Sequence, residues 1–145
     1  MRRTEFLTEK RSFHQLTAEV LMEQEVVTCR PSDSGRHIAS RLTRFEFGSL
    51  PVVDGNGILM GLVSEFDLLK VLMESRKLET VRAEEIMTRD VKTIQIDTPV
   101  NEAIRLLEEN HLIRAPVLND KKLVGILARR DVLFGYIKAT AEYWP

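Results

Sequence analysis

Two kinds of apolar pattern alternate along this chain. Short continuous apolar runs, such as residues 58–63 and 123–127, have the length of buried strands. Between such runs, apolar residues recur at intervals of three and four, as Ala103, Ile104 and Leu107 do, which is typical of one face of a helix. The mixture predicts an α+β fold built from short strands and amphipathic helices.

The pattern occurs twice. A shift of 65 residues aligns identical residues at several places: Met22 with Met87, Leu42 with Leu107, and Pro51 with Pro116. After one deletion the shift becomes 64, and it aligns Gly61 with Gly125 and Asp67 with Asp131. An internal repeat of this length predicts two copies of one structural unit.

The repeat divides the chain into four parts. We predict an N-terminal segment over residues 1–15, a first copy over 16–73, a second copy over 81–138 and a C-terminal tail over 139–145. The linker between the copies is short and polar, so it holds them close together.

Each copy is predicted to run α-β-α-β-β-α. The helices and strands are assigned as follows: short helices at 18–22 and 83–87, extended pieces at 26–28 and 91–93, strands at 50–53, 58–63, 115–118 and 123–127, and closing helices from Asp67 and Asp131. One copy alone has too little core to be stable, so we expect the two to pack sheet to sheet about a pseudo-twofold axis, with a cleft between them on each side.

The middle helix of each copy carries the clearest helical signals. In the second copy, Asp97 and Thr98 form an N-cap candidate before Pro99, which suits a first turn. In the first copy, Ile38, Leu42 and Phe45 are predicted to form the apolar stripe.

The residues of each strand-to-helix turn predict a ligand-binding site. In Gly61-Leu-Val-Ser64-Glu-Phe-Asp67, the glycine allows close approach, the serine offers a hydroxyl, and the aspartate lies in the first turn of the helix. Such a turn also presents free N–H groups that suit an anion. Together these groups could hold a phosphate at one end and a sugar diol at the other.

Composition narrows the function classes. The 145 residues carry a formal net charge of -1 and are 43% hydrophobic, which indicates a globular protein without the basic face that nucleic acid binding requires. No apolar run approaches the ~20 residues of a membrane span, so no membrane contact is expected. The single cysteine, Cys29, excludes an internal disulfide and makes the cytoplasm the default location.

The spaced motifs resemble those of the cystathionine β-synthase (CBS) domain. Ile86-Met87-Thr88…Val91-Lys-Thr93 is similar to its opening, Leu50-Pro51-Val52-Val53-Asp54 to its middle, and Gly61…Ser64…Asp67 to its close. The resemblance covers about four fifths of the chain and implies a CBS pair, or Bateman module. It also implies a flat homodimer and a regulatory rather than an enzymatic role.

The resemblance implies that adenosine-containing ligands bind between the copies. AMP, ADP or ATP is the expected ligand, with S-adenosylmethionine as a further candidate, and no cofactor is required. In such modules the aspartate holds the ribose hydroxyls, the serine faces phosphate, and residues before the Leu-Pro strand line the adenine.

Carried onto this chain, the resemblance implies two unequal sites. The first would combine Ser64 and Asp67 with Leu112, Ile113, Arg114 and Arg130 of the second copy. The second would combine Asp131 and Arg114 with Phe47, Gly48 and Ser49 of the first copy. At the second site Ala128 replaces the expected serine or threonine, so Arg129 or Arg130 would have to bind the phosphate.

Simpler interpretations remain open for these residues. Asp67 and Asp131 could be helix N-terminal residues only, and Phe47 could be part of the core. The protein could also be a dimeric scaffold that binds no ligand and regulates an unidentified effector protein. The three histidines and Cys29 form no cluster at metal-ligand or nucleophile spacing, so we expect neither a metal site nor catalysis.

Overall fold

The structure is a computed structural model, and it describes residues 12–140. The α-helices are α1 (Ala18–Leu21), α2 (Gly35–Phe45), α3 (Glu65–Met73), α4 (Ala83–Ile86), α5 (Val100–Glu109) and α6 (Arg129–Thr140). The strands are β1 (Ser49–Val53), β2 (Leu59–Ser64), β3 (Ile94–Gln95), β4 (Arg114–Asn119) and β5 (Lys122–Ala128). This is the mixed helix and strand fold that the sequence predicts, with the two repeats in the predicted order.

The described chain forms two compact units. The first unit contains residues 27–91 and 121–123, and the second contains residues 12–26, 92–120 and 124–140. In the first unit β1 and β2 pair antiparallel, with Ser49 opposite Ser64. The apolar side chains of this sheet pack on α2 and α3, chiefly through Ile38, Leu42 and Leu68.

The second unit repeats this arrangement. Its three strands lie in the order β3-β4-β5, and β3 pairs parallel with β4 so that Ile94 lies opposite Val117. The core is formed by α1, α5 and these strands, with Ala103, Leu107 and Leu127 buried. In the first unit, the counterpart of β3 is a single parallel bridge between Cys29 and Val52.

The opening helix of each repeat packs in the unit formed by the other repeat. Met22, which follows α1, lies against Gly125 of β5 in the second unit. Met87, which follows α4, lies against Gly61 of β2 in the first unit, where an added Cβ would come within 2.8 Å of the methionine sulfur. Glycine is required at both strand positions because any side chain would displace the segment packed on it.

Some local predictions differ from the structure. The extended pieces predicted at 26–28 and 91–93 do not pair; the pairing residues are Cys29 and, in the second copy, Ile94–Gln95. This shift has a hydrogen-bonding cause, since the Cys29 N–H donates to Pro51 at 2.9 Å and Val53 donates to Cys29 at 3.0 Å.

The predicted start of the middle helix in the second copy was also wrong. The cap residue is Pro99 and the helix begins at Val100, because the Thr98 carbonyl accepts from the N–H of Ala18 at 2.9 Å instead of opening the helix. The closing helices begin at Glu65 and Arg129, two residues earlier than predicted.

Each apolar stripe predicted for a middle helix includes one residue that is exposed in the structure. Phe45 is 44% exposed and stacks on Phe47 with 6.0 Å between ring centroids, while Ile104 is 36% exposed. The N-terminal segment up to residue 11 and the tail from residue 141 lie outside the described residues.

Candidate functional site

The predicted residues of the first copy converge at one end of the β1–β2 sheet. Ser49 pairs with Ser64, and the N–H of Glu65 donates to the carbonyl of Gly48 at 3.0 Å. The segment before β1 therefore lies beside the turn into α3. We call Phe47, Gly48, Ser49, Ser64 and Asp67 the first half-site.

Asp67 and Ser64 are joined by three hydrogen bonds. Oδ2 of Asp67 accepts from the Ser64 N–H at 2.8 Å and from the Ser64 hydroxyl at 3.0 Å. In return, the Asp67 N–H donates to Ser64 Oγ at 3.2 Å. This capping box satisfies N–H groups at the start of α3 and fixes the carboxylate at the mouth of the turn.

The capping box uses one of the two oxygens of Asp67. Among the residues that the structure describes, Oδ1 of this partly exposed carboxylate takes no hydrogen bond. The helix-capping role and a ribose contact are therefore compatible, since each uses a different oxygen.

Phe47 lies between the core and the surface. It is partly buried against the core of the first unit, and its ring stacks on Phe45 with an interplanar angle of 18°. The Glu46 residue before it has a left-handed backbone, with φ of 57°, which ends α2 and turns the chain toward β1. Both interpretations of Phe47, as core and as an aromatic wall, fit this position.

The second copy forms an equivalent half-site with different side chains. The N–H of Arg129 donates to Ile113 at 2.9 Å, and the N–H of Ala128 donates to Oδ2 of Asp131 at 2.9 Å. Leu112, Ile113, Arg114, Arg130 and Asp131 thus lie on the segments before β4 and at the start of α6. We call them, with Arg129, the second half-site.

Arg114 is the most buried base of the second half-site. It is the first residue of β4 and is only partly exposed, and burial lowers the pKa of its guanidinium below the ordinary value. Arg129 and Arg130 are exposed at the first turn of α6, where the helix dipole also favours an anion. Three arginines therefore lie on the two backbone segments that meet at the start of this helix.

A cavity of about 480 Å³ lies in the second unit between α5 and α6. Its walls are mostly apolar and include Ile104, Leu107, His111, Leu112, Arg129 and Leu133. Of the residues of the second half-site, Leu112 and Arg129 line it.

Sequence reasoning missed two further acidic residues, Glu46 and Glu65, which lie next to the first half-site in the chain. The carboxylate of Glu65 lies over Gly48, with Oε1 3.7 Å from the position of an added Cβ. Glu46 precedes Phe47 on the same segment. The signal was present in the repeat, because Glu65 aligns with Arg129 and Glu46 with His111.

Cys29 lies in the core of the first unit. It is buried, and its thiol donates to the Pro51 carbonyl at 3.6 Å. Burial, assisted by the charge of Asp33 and opposed by that of Arg41, raises the pKa of Cys29 to about 12. Across residues 12–140 there is also no group of three metal-ligating side chains and no helix that is both long and apolar enough to span a bilayer.

Known proteins share this repeated architecture. The CBS domain family model matches residues 18–74 and 83–137. The chain belongs to the CBS domain family. An uncharacterized protein of Methanopyrus kandleri is 32% identical over 123 residues, which are 82% of this chain and 63% of that protein, so the chain spans less than two thirds of this relative.

Two similar solved structures of CBS proteins contain adenosine compounds. CBSX2 in complex with AMP is 29% identical, with a TM-score of 0.75 over 86% of this chain and 98% of that one. The CBS domain pair of protein MJ0100, in complex with 5'-methylthioadenosine and S-adenosyl-L-methionine, is also 29% identical, with a TM-score of 0.69 over 83% and 96% of the two chains. The fold and the family predicted from the sequence are therefore confirmed.

Proposed function

We propose that this chain is a regulatory module that binds an adenosine-containing ligand and has no catalytic activity of its own. The observation that carries the proposal is a carboxylate fixed at the start of a helix in both units, Asp67 and Asp131, each beside the segment that precedes a buried strand. The AMP, methylthioadenosine and S-adenosylmethionine complexes of two CBS proteins support it.

The ligand chemistry follows from the half-sites. We expect Oδ1 of Asp67 to accept hydrogen bonds from a ribose diol, and such charge-assisted bonds stabilise a complex by roughly 1.5–3 kcal/mol. Ile113, which is 66% exposed, and Leu112 offer apolar surface to a base. The combination of residues from both copies in one site stays a prediction.

The regulatory mechanism is linkage. A ligand that binds one conformation of the module better than another shifts the population toward that conformation, by no more than its differential affinity. We propose AMP, ADP or ATP as the ligand, with S-adenosylmethionine as the alternative, and an effector protein in the cytoplasm as the recipient of the signal.

A thermal unfolding series tests the proposal. A ligand at 100 times its dissociation constant should add about 2.7 kcal/mol of stability per site. AMP, ATP or S-adenosylmethionine should therefore raise the Tm of the full chain. The proposal fails if saturating amounts of all three leave the Tm unchanged.

A scaffold function is the second candidate, and it is favoured by apolar side chains on exposed helix faces. On α3, Phe66 is 81% exposed and Met73 is 85% exposed; on α6, Leu133 is 65% exposed. Faces of this kind bind other protein surfaces, including those of a second copy in the proposed homodimer. Two measurements on the wild type and on Asp67→Ala separate the candidates. A scaffold shows no ligand-induced Tm shift in either protein. By light scattering, a scaffold also keeps the same oligomeric state, and the same complex with its partner, in the variant.

A further inference from the structure

The turns that end the two hairpins, β1–β2 and β4–β5, are bonded differently. In the second unit, the side chain of Gln95 donates to the carbonyl of Asp120 at 3.1 Å and accepts from the Asp120 N–H at 3.1 Å. A shift of 65 residues aligns Gln95 with Arg30 and Asp120 with Gly55. Arg30 also lies beside its turn, with Nη1 3.8 Å from the position of a Cβ added at Gly55, but a guanidinium cannot accept from the Gly55 N–H. The side chain that satisfies the turn in the second unit therefore has no equivalent in the first.

A polar cavity of about 540 Å³ lies at this turn of the first unit. Its walls include Thr28, Arg30, Lys122 and the turn residues 54–57, all of which belong to the first unit. The volume is within the range of small-molecule sites. The cavity lies at the opposite end of β1 from the first half-site, roughly 17 Å away, since β1 has five residues at about 3.3 Å each. The two locations are therefore distinct.

Two basic side chains reach the cavity from separate segments of the chain. Arg30 comes before α2, and Lys122 is the first residue of β5. The position of Lys122 is fixed by its neighbour, because the Leu123 N–H donates to the Gly57 carbonyl at 3.0 Å, and the lysine stem packs over Gly57. Among residues 12–140, neither basic side chain forms an ion pair or a hydrogen bond. Both charges are therefore available to an anion.

The cavity wall also offers uncharged donors. The only carboxylate among its described residues, that of Asp54, is held by its own turn, because Oδ1 accepts from the N–H of Asn56 at 2.8 Å and of Ile58 at 3.0 Å. With two bases and one acid, the wall has a formal charge of +1. The Thr28 hydroxyl and the Gly55 N–H have no hydrogen-bond partner in the part of the chain that the structure describes. A guanidinium, an ammonium, a hydroxyl and a backbone N–H together suit a phosphate.

We propose that this cavity is a further ligand site, which binds a phosphate group through Arg30 and Lys122. The Thr28 hydroxyl and the Gly55 N–H donate to the same group. Phosphate is favoured over a carboxylate because it presents up to two negative charges and three oxygens to this set of donors. In the second unit the Gln95 amide already takes the equivalent N–H. The inference goes beyond the proposed function and does not depend on it.

An NMR titration of the ¹⁵N-labelled full chain tests the inference. Inorganic phosphate and glycerol 3-phosphate are added separately at constant ionic strength, and the amide signals of Gly55 and Lys122 are followed. Both compounds should shift these signals along a saturating curve that gives a dissociation constant. Equal constants would identify free phosphate as the ligand, and tighter binding of the ester would identify a phosphorylated small molecule.

Three variants connect the signal to the cavity. Arg30→Gln should weaken phosphate binding about tenfold, because the guanidinium is lost and the new amide can take the Gly55 N–H as Gln95 does in the second unit. Lys122→Gln removes a more weakly held, exposed charge and should weaken binding about threefold. Arg44→Gln is the matched control, because this exposed arginine lies in the last turn of α2, outside the cavity wall, and its loss should leave the constant unchanged.

Three results would each overturn the inference. The first is that neither compound shifts the signals of Gly55 and Lys122. The second is that Arg30→Gln and Lys122→Gln both bind phosphate as tightly as the wild type. The third is that Arg44→Gln weakens binding as much as they do. All three leave the proposed adenosine site untouched, since none of these variants changes a residue of either half-site.

Discussion

The first and second half-sites share a backbone and differ in side chains. Glu46 and His111 both adopt left-handed backbones, with φ of 57° and 52°, and both end a helix before a buried strand. The N–H of Glu65 and that of Arg129 donate to the segments before β1 and β4 at 3.0 and 2.9 Å. The repeat therefore preserves the framework that places a carboxylate at a helix start, while the residues around that carboxylate have diverged.

The two repeats agree at positions that maintain the fold and differ at positions that we propose to contact a ligand. Positions that maintain the fold, such as Gly61 and Gly125, are identical in the two repeats, because a side chain at either would collide with a packed methionine. Positions that we propose to face a ligand, such as Ser64 and Ala128, differ. Substitutions at four pairs of aligned positions test this difference between the repeats.

The largest expected effect is on ligand affinity. Asp67→Ala should lower the affinity of the first half-site for an adenosine ligand about 10- to 100-fold, because the hydrogen bonds between the carboxylate and the ribose are lost. Asp131→Ala should weaken the ligand of the second half-site similarly. Calorimetry measures both, with Asp90→Ala, at an exposed position of the first unit, as the control; unchanged affinity in both half-site variants would contradict the proposed ribose contacts.

The two strand glycines should be equally intolerant of substitution. Gly61→Ala places a Cβ 2.7 Å from the Thr88 carbonyl oxygen, and Gly125→Ala places one 2.9 Å from that of Glu23. Each variant should lose about 1–3 kcal/mol of unfolding free energy, measured in urea. Gly48→Ala is the control, because its nearest neighbour would be at 3.7 Å. An unchanged unfolding free energy in either strand-glycine variant would contradict this prediction, because it would show that the packed segment can shift to make room for the Cβ.

Cys29 should make the folding stability fall at alkaline pH. Its aligned residue, Ile94, has no titratable group and cannot have this effect. The folded pKa of about 12 exceeds the ordinary value of 9.0, so the folded state binds more protons between these values. Stability is fully present below pH 9 and should fall by about 1.4 kcal/mol per pH unit above it. Denaturation at pH 8 and 10 should show a smaller loss in Cys29→Ala than in wild type; equal losses would mean that the thiol does not titrate differently on folding.

The smallest effect concerns the capping hydroxyl. Ser64→Ala copies Ala128 and should destabilise the first unit by about 1 kcal/mol, because the Asp67 N–H loses its acceptor. Ala128→Ser should stabilise the chain by up to a similar amount through the equivalent bond to Asp131. Thermal unfolding of both variants checks the pair, and a loss of stability in Ala128→Ser would show that α6 cannot form the same box.

The repeat made much of this fold predictable from sequence. Identical residues at fixed offsets located both copies, and β1, β2, β4 and β5 were placed to within about a residue, whereas β3 lies beyond the piece predicted at 91–93. Local competition explains the errors: Thr98 bonds to Ala18, far away in sequence, so helix α5 begins later than its cap signals indicated. Packing with remote partners cannot be read from a local pattern.

The candidate site was predictable only in part. The motif located Ser64 and Asp67, yet the sequence did not reveal that the Ser64 hydrogen is donated to Asp67. The role of Glu65 also needed the fold, because its carboxylate reaches Gly48, which lies 17 residues earlier in the chain. Distances between side chains that are remote in sequence decide the electrostatics of the site.

The proposed function depends on a carboxylate at a helix start that holds the ribose of an adenosine compound. A crystal structure of the full chain grown with AMP tests it most directly. We expect ribose hydroxyls within hydrogen-bond distance of Asp67 or Asp131, with the phosphate beside Arg114, Arg129 or Arg130. AMP bound with its ribose away from both aspartates, or no AMP in crystals grown at saturating concentration, would contradict it.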